Sequence, residues 1–199
     1  LKVNSNNCAI ICTPSIYLNS LKVNNNNLFG GAQDVSNFKE GAYTGELSAA
    51  MLKDNNIDFC LVGHSERRQY FSETNINVKI KSTNLIEENI IPVICIGETL
   101  EQKENNLTEE ILYTQIKDSV PNLANYQNTI IAYEPVWAIG TGLTPTLDEI
   151  NQVHELIKYF DEKFRNFKVL YGGSVKSSNS KEINELNHVD GCLIGGASL

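Results

Sequence analysis

The sequence predicts an α/β fold in which parallel strands alternate with helices. Three observations point there. Seven short apolar segments recur along the 199 residues, rich in Ile, Val, Leu, Cys and aromatics. They show no strict alternation, which is how strands buried on both faces of a parallel sheet read. Amphipathic stretches separate them, and strand starts lie about 20 to 40 residues apart, the spacing of right-handed βαβ units.

The strand segments are 8–12 (CAIIC), 28–32 (LFGGA), 57–62 (IDFCLV), 92–96 (PVICI), 128–133 (NTIIAY), 167–171 (FKVLY) and 192–194 (CLI). Helical patterns cover 46–55, 72–89, 107–120, 147–164 and 180–186. Thr146 with Glu149 forms a capping-box signal at the start of the fourth helix. Leu147, Ile150, Val153, His154, Ile157 and Phe160 then share one face. The asparagine run 24–27 and the pairs Asn55-Asn56 and Asn105-Asn106 read as loops or helix ends. One domain over 1–199 is expected, since no linker or composition break divides the chain.

Composition narrows the function. Hydrophobic residues make up 41% and charged residues 20%, so a core can form. A net charge of −8 argues against a nucleic-acid partner or an anionic membrane surface, because both require clustered Lys and Arg. One small anion in a local site is still compatible with it. No apolar stretch approaches ~18 residues, so no transmembrane helix is expected, and no secretory leader is visible. Cys8, Cys12, Cys60, Cys95 and Cys192 are odd in number and form no CxxC pair. They read as small buried hydrophobes in a reducing compartment. With only three histidines, at 64, 154 and 188, no metal site is expected.

Two architectures suit the pattern: a doubly wound open sheet and a closed barrel. The strand ends favour the barrel. Thr13-Pro14, Gln33, Gly63-His64, Gly97-Glu98, Glu134, Gly172-Gly173-Ser174 and Gly195-Gly196 all follow strand C-termini. A barrel gathers such residues onto one face, whereas an open sheet concentrates them at a switch point.

Three stretches carry chemistry. Gly63-His64-Ser65-Glu66-Arg67-Arg68 clusters a histidine, a carboxylate and two arginines beyond a strand. Such a group is costly to bury unless its members pair. Ser65 lacks a G-x-S-x-G context, so it does not read as a nucleophile. In Ala132-Tyr133-Glu134-Pro135-Val136-Trp137-Ala138-Ile139-Gly140-Thr141-Gly142 a carboxylate ends an apolar strand, where burial can tune it toward a general base. The segment after it has a rigid start, an apolar middle and a glycine tip, which suits a closing lid or an ordinary βα loop. Gly172-Gly173-Ser174 and Gly195-Gly196 suit either tight turns or a phosphate cradle after the last two strands.

The chain resembles the triosephosphate isomerase family. The resemblance is carried by GAQDVSNFKEGAYTGELSAAMLKD (31–54), GHSERR (63–68), PVICIGETLEQKE (92–104), AYEPVWAIGTG (132–142), LYGGSV (170–175) and DGCLIGGASL (190–199). It implies a (β/α)8 barrel, here with seven of its eight strands. It also implies interconversion of dihydroxyacetone phosphate and D-glyceraldehyde 3-phosphate through an enediolate, without metal or cofactor. Glu134 matches the family's base and His64 its neutral electrophile. Gly140, Ser174, Gly195 and Gly196 match its phosphate contacts. Cys95 matches a positioning residue beside the base, and Glu66 a carboxylate that pairs with the family's catalytic lysine. The loop from Asp34 to Leu47, with Tyr43 and Thr44 at its tip, matches the loop that docks into a partner subunit, which implies a homodimer. A cytoplasmic enzyme of glycolysis and gluconeogenesis is the corresponding expectation.

The sequence also departs from that family. It begins just before what would be the second strand, so the Asn-x-Lys motif of the first is absent. It stops at Ala197-Ser198-Leu199, before the last helix. The expectation is that these residues are a fragment and that the polypeptide alone is nearly inactive. Pro145 is expected to stiffen the lid's second hinge. Asp34 stands where the family usually has Asn and adds a negative charge near the docking loop. Two alternatives are a non-catalytic relative kept for binding or assembly and a phosphate-binding barrel acting on a larger sugar. Intact Glu134 and His64 motifs argue against the first, and the lid sequence against the second.

Overall fold

A computed structural model describes residue 3 and residues 7–21, 27–141 and 143–198. Lys2, the asparagine run apart from residue 27, and Gly142 of the lid tip lie outside the described residues.

Seven parallel strands form one sheet: β1 Ala9–Thr13, β2 Leu28–Ala32, β3 Phe59–Val62, β4 Ile91–Ile96, β5 Ile130–Tyr133, β6 Lys168–Tyr171 and β7 Gly191–Cys192. Their spatial order equals their chain order. A doubly wound sheet would reverse order at a switch point, so the topology is that of a curled barrel wall. All seven expected strands exist, with ends moved by at most two residues. The last sits at 191–192 rather than 192–194.

Side chains alternate across this wall. Phe59, Leu61, Val93, Cys95 and Ala132 pack together on the concave side. Val62, Ile94, Ile131, Val169 and Tyr171 point outward, into a cluster with helix residues such as Leu85, Leu112, Ile116, Ile150 and Ile157. Each such aliphatic side chain, fully buried, contributes about 1.5–3 kcal/mol.

The helices are α1 Ala49–Asp54, α2 Ser65–Tyr70, α3 Asn75–Glu87, α4 Leu100–Glu104, α5 Thr108–Ser119, α6 Leu147–Tyr159 and α7 Ser180–Asn184. The expected capping box is present: the Glu149 N–H donates to Thr146 Oγ1 at 3.2 Å, and the Thr146 N–H to Glu149 Oε2 at 2.7 Å. Asparagine ends helices as its composition suggested. Asn56, Asn89 and Asn106 adopt φ of 56°, 56° and 57° just after α1, α3 and α4, the left-handed cap position usually given to glycine.

Three expectations need correction. The pattern 72–89 begins too early: Ser72 has φ of 54° and the helix starts at Asn75, capped by Thr74. The pattern 147–164 breaks after Tyr159, and a separate 3-10 turn follows at Glu162–Phe164. The cysteines are not all buried. Cys60 and Cys95 are, Cys12 and Cys192 are half-buried, and Cys8 is exposed because β1 starts only after it.

Candidate active site

Glu134 continues the inward alternation of β5, after Ile130 and Ala132, one step beyond the strand's end. The same step on the neighbouring strands is occupied by Gly97 and Gly172. The register pairs Cys95 with Ala132 and Ala132 with Leu170. Both glycines are required by the carboxylate residue between them. A Cβ on Gly97 would fall 1.7 Å from the Glu134 carbonyl oxygen, and one on Gly172 would fall 2.6 Å from Glu134 Cγ. Packing alone is enough to require glycine at 172. Gly173 likewise makes room for the Tyr171 hydroxyl, 2.2 Å from its would-be Cβ.

His64 leaves β3 and caps α2. Its Nδ1 accepts the Glu66 N–H at 3.4 Å. That acceptor role places the proton of the neutral ring on Nε2. Nε2 in turn lies 3.4 Å from Glu134 Oε1. Glu134 is only 2% exposed. Its Oε2 accepts the Ser65 N–H at 3.3 Å, while Oε1 is buried without a hydrogen-bond partner. Burial holds its carboxyl above the usual carboxylate range. His64, the Cys95 thiol, the Ser65 N–H and Arg68 pull in the opposite direction without cancelling it.

Arg68 binds the ends of β3 and β4 to each other. Its Nε donates to the Gly63 carbonyl at 2.7 Å and its Nη2 to the Cys95 carbonyl at 3.1 Å, and Nη1 donates to Asn75 Oδ1 at 2.7 Å. Beside it lies a four-charge network. Asp34 pairs with Arg67 at 2.8 Å and with Lys81 at 2.6 Å, and Lys81 also pairs with buried Glu73. Glu73 Oε2 accepts the Gly63 N–H at 3.0 Å. The extra negative charge at Asp34 is thus met by two cations. The expectation that the GHSERR charges must pair holds for Arg67, which meets Asp34, whereas Arg68 is satisfied by hydrogen bonds to neutral acceptors.

The lid starts at a second buried carboxylate. Glu98 is 1% exposed, and its Oε1 accepts from Trp137 Nε1 at 2.8 Å and from the Tyr133 hydroxyl at 3.2 Å. Lys103 stacks over the Trp137 ring at 3.7 Å and reaches Glu149 Oε1 at 2.9 Å. Ser174 Oγ donates to the Ala138 carbonyl at 2.6 Å, which ties the β6 loop to the lid's base.

The expected site residues therefore fall into groups. His64, Glu134 and Cys95 meet. Ser174 touches the lid base. Gly140 sits on the lid with φ of 69°, and a Cβ on it, on Gly195 or on Gly196 would meet nothing within 4 Å. The structure thus leaves those three backbones open, without joining them to the pair. Glu66 supports His64 through its N–H, and its exposed carboxylate stands 3.8 Å from His64 Nδ1. Tyr43 and Thr44 lie apart. Tyr43 stacks on Phe38 at 3.6 Å, and both it and Thr44 line a cavity of about 410 Å³ with Arg67, Phe71 and Lys81.

Sequence reasoning did not assign roles to Arg68, Glu73, Asn75, Lys81, Glu98 or Gln115. Glu98 was noted as following a strand end, but no role was drawn from it. The others act across the fold and leave no local signal.

Comparison with known proteins follows from this geometry. The family model for triosephosphate isomerase matches residues 2–199. A triosephosphate isomerase of Mesomycoplasma hyorhinis is 42% identical over 198 residues, covering 100% of this chain and 80% of that protein. One of Clostridium tetani is 44% identical over 209 residues, covering 100% of this chain and 82% of the other. The crystal structure of triosephosphate isomerase from Bartonella henselae superposes with a TM-score of 0.88 at 36% identity, over 96% of this chain and 81% of that one.

Proposed function

Given that the chain belongs to the triosephosphate isomerase family, we propose that Glu134 and His64 carry its isomerase reaction, the interconversion of dihydroxyacetone phosphate and D-glyceraldehyde 3-phosphate. One observation carries the assignment: the unpartnered Oε1 of a buried glutamate faces the Nε2–H of a histidine whose other nitrogen is already occupied. In this reading Oε1 takes a proton from the carbon beside the carbonyl. The C–H electron pair becomes the C=C bond of an enediolate, and the carbonyl π pair moves to oxygen. The Nε2–H donates to that oxygen. The proton of the neighbouring hydroxyl then passes to that oxygen, with Nε2 giving up its own proton there and taking the hydroxyl's in its place. Glu134 returns its proton to the former carbonyl carbon: the C=C pair forms the new C–H bond while an electron pair on the deprotonated oxygen closes the new C=O, so the substrate gains and loses no atoms.

Raising the carboxyl above its usual range brings its basicity closer to that of the working solution, which favours proton transfer in both directions. A neutral imidazole can donate a hydrogen bond without first losing its own proton. Gly140, Gly195 and Gly196 are assigned to the substrate phosphate, because their open backbones allow N–H groups to approach an anion, and Ser174 joins them as the residue that ties the β6 loop to the lid base. Cys95 and Glu66 support the base and the histidine.

The test is isomerase turnover in both directions for the protein and for its Glu134→Gln and His64→Gln variants. Removing a general acid or base costs about 10²–10⁴ in rate. Turnover that survives Glu134→Gln within threefold refutes the assignment.

We also assign the 34–47 loop to a homodimer contact. Phe38, Tyr43, Tyr70 and Phe71 are 47%, 42%, 69% and 66% exposed around it, an aromatic patch that a monomer seldom leaves in water. Sedimentation of the protein is expected to give a dimer, with Tyr43→Ser shifting it toward monomer. A monomer at all concentrations removes this assignment. No helix among the described residues is long and apolar enough to cross a membrane. The cytoplasm is the compartment that fits a glycolytic role.

A further inference from the structure

Glu134 is held by its neighbour strand in an unusual way. The Glu134 N–H donates to the Ile96 carbonyl at 2.7 Å, and the Val136 N–H donates to the Glu98 carbonyl at 3.0 Å. Residues 96 and 98 thus face β5, and by strand alternation the N–H and C=O of Gly97 face the other way. β3, the partner on that side, ends at Val62, and the chain turns at Gly63 with φ of 70°. The Gly97 pair would be left without a strand to bond to.

One side chain fills both vacancies. The Gly97 N–H donates to Gln115 Oε1 at 2.8 Å, and Gln115 Nε2 donates to the Gly97 carbonyl at 3.0 Å. Only a carboxamide offers a donor and an acceptor in this arrangement. Gln115 is itself fixed. It sits within α5, next to buried Ile116 and one turn from buried Leu112 and Ser119. Gly97 then presses on Glu134, at the position where even a methyl group would overlap the Glu134 carbonyl.

We propose that Gln115 is a positioning residue for the reaction: by clamping Gly97 it sets the backbone of Glu134 and the root of the lid. It contacts neither the Glu134 carboxylate nor the lid tip, so it acts through the backbone of residues 96–98. This inference builds on the base role assigned to Glu134.

Two variants test it. Gln115→Met keeps the length and loses both hydrogen bonds. Gln115→Glu keeps the acceptor for the Gly97 N–H and sets an anionic oxygen against its carbonyl. A misplacement near 1 Å costs about 10²-fold, so kcat is expected to fall about 10- to 100-fold in the Met variant, with KM within about threefold. Amide exchange at Glu134 and Val136 is expected to accelerate in the folded protein while Ile131, further down β5, keeps its protection. A purely structural role would lower the melting temperature and leave kcat of the folded enzyme and those two amides unchanged. That result overturns the proposal. If the Met variant does not fold, the same readings on Gln115→Glu decide. The exchange measurement needs no turnover. Turnover that survives Glu134→Gln with the exchange change present refutes the role of Glu134 and leaves the clamp standing. Active wild-type protein with no exchange change refutes the clamp alone.

Discussion

Replacing Gly172 with alanine probes how tightly the base is held. The added Cβ would lie 2.6 Å from Glu134 Cγ, against 3.4–4 Å for ordinary contact. It also comes within 3.4 Å of the Tyr133 carbonyl and 3.5 Å of Glu134 Oε1. The two strands are locked by the Gly172 N–H bond to the Tyr133 carbonyl at 2.7 Å, so the backbones cannot separate cheaply. The Glu134 side chain must then move by about 0.8 Å or more to restore contact distance. Displacement of that size costs about 10² in rate, and overpacking costs about 1–3 kcal/mol in stability. The φ of Gly172 is not in the left-handed region, so backbone strain does not enter. The assay is kcat and KM in both directions, with a thermal melt on the same sample. We expect kcat to drop about 100-fold while KM, set by the phosphate contacts, changes little. A kcat within threefold of wild type would show that the carboxylate is not confined by Gly172.

Two further expectations concern acid. His154 is fully buried between Tyr133 and Tyr171, and desolvation lowers its pKa from the ordinary 6.5 to about 4. The unfolded chain then binds a proton that the folded one refuses, so stability falls as pH drops from about 6.5 to about 4. At about 1.4 kcal/mol per pH unit this amounts to about 3 kcal/mol, and denaturant unfolding at pH 7 and pH 4.5 should show the slope shrink in a His154→Phe variant. Asp190 is pushed up by burial, but Lys158 at 2.6 Å, the Val169 N–H at 3.0 Å and Lys168 at 2.9 Å outweigh this and leave it below its ordinary value. Its contribution is present above pH about 3.8 and is lost below. Asp190→Asn should cost about 1–3 kcal/mol at pH 7, and an unchanged melting temperature would remove it from the β6–β7 junction.

The strands were legible because burial on both faces writes a local signal of four to six apolar residues. Of the short helices, α1 and α7 were expected within 46–55 and 180–186, but two others were not. α2 and α4 have six and five residues, too few for a helical period to emerge from the sequence. Glu73 was absorbed into a helix because its role, accepting the Gly63 N–H and pairing with Lys81, is tertiary. His64 and Glu134 stood out as polar residues at strand ends. The residues that hold them did not, because Arg68, Asn75 and Gln115 meet the site only once α3 and α5 fold back on the sheet. Gly172 was visible, but the sequence left its reason open between a tight turn and an anion cradle. A glycine that makes room for a neighbouring strand's glutamate looks, in sequence, the same as one that cradles an anion.

The arrangement around Glu134 resolves a conflict between two demands. A general base needs a free lone pair, yet a buried carboxylate without partners is costly. The site divides the two oxygens: Oε2 is met by the Ser65 N–H, and Oε1 is left bare. Arg68 acts electrostatically on this carboxylate, and a direct ion pair with it would lower the carboxyl further and weaken the base. Its geometry prevents that. All three guanidinium nitrogens donate elsewhere, to the Gly63 and Cys95 carbonyls and to Asn75. The arginine therefore stiffens the strand ends that carry His64 and flank Glu134 while contributing only a weak, distant attraction to the carboxylate. Burial still dominates, and the base stays basic.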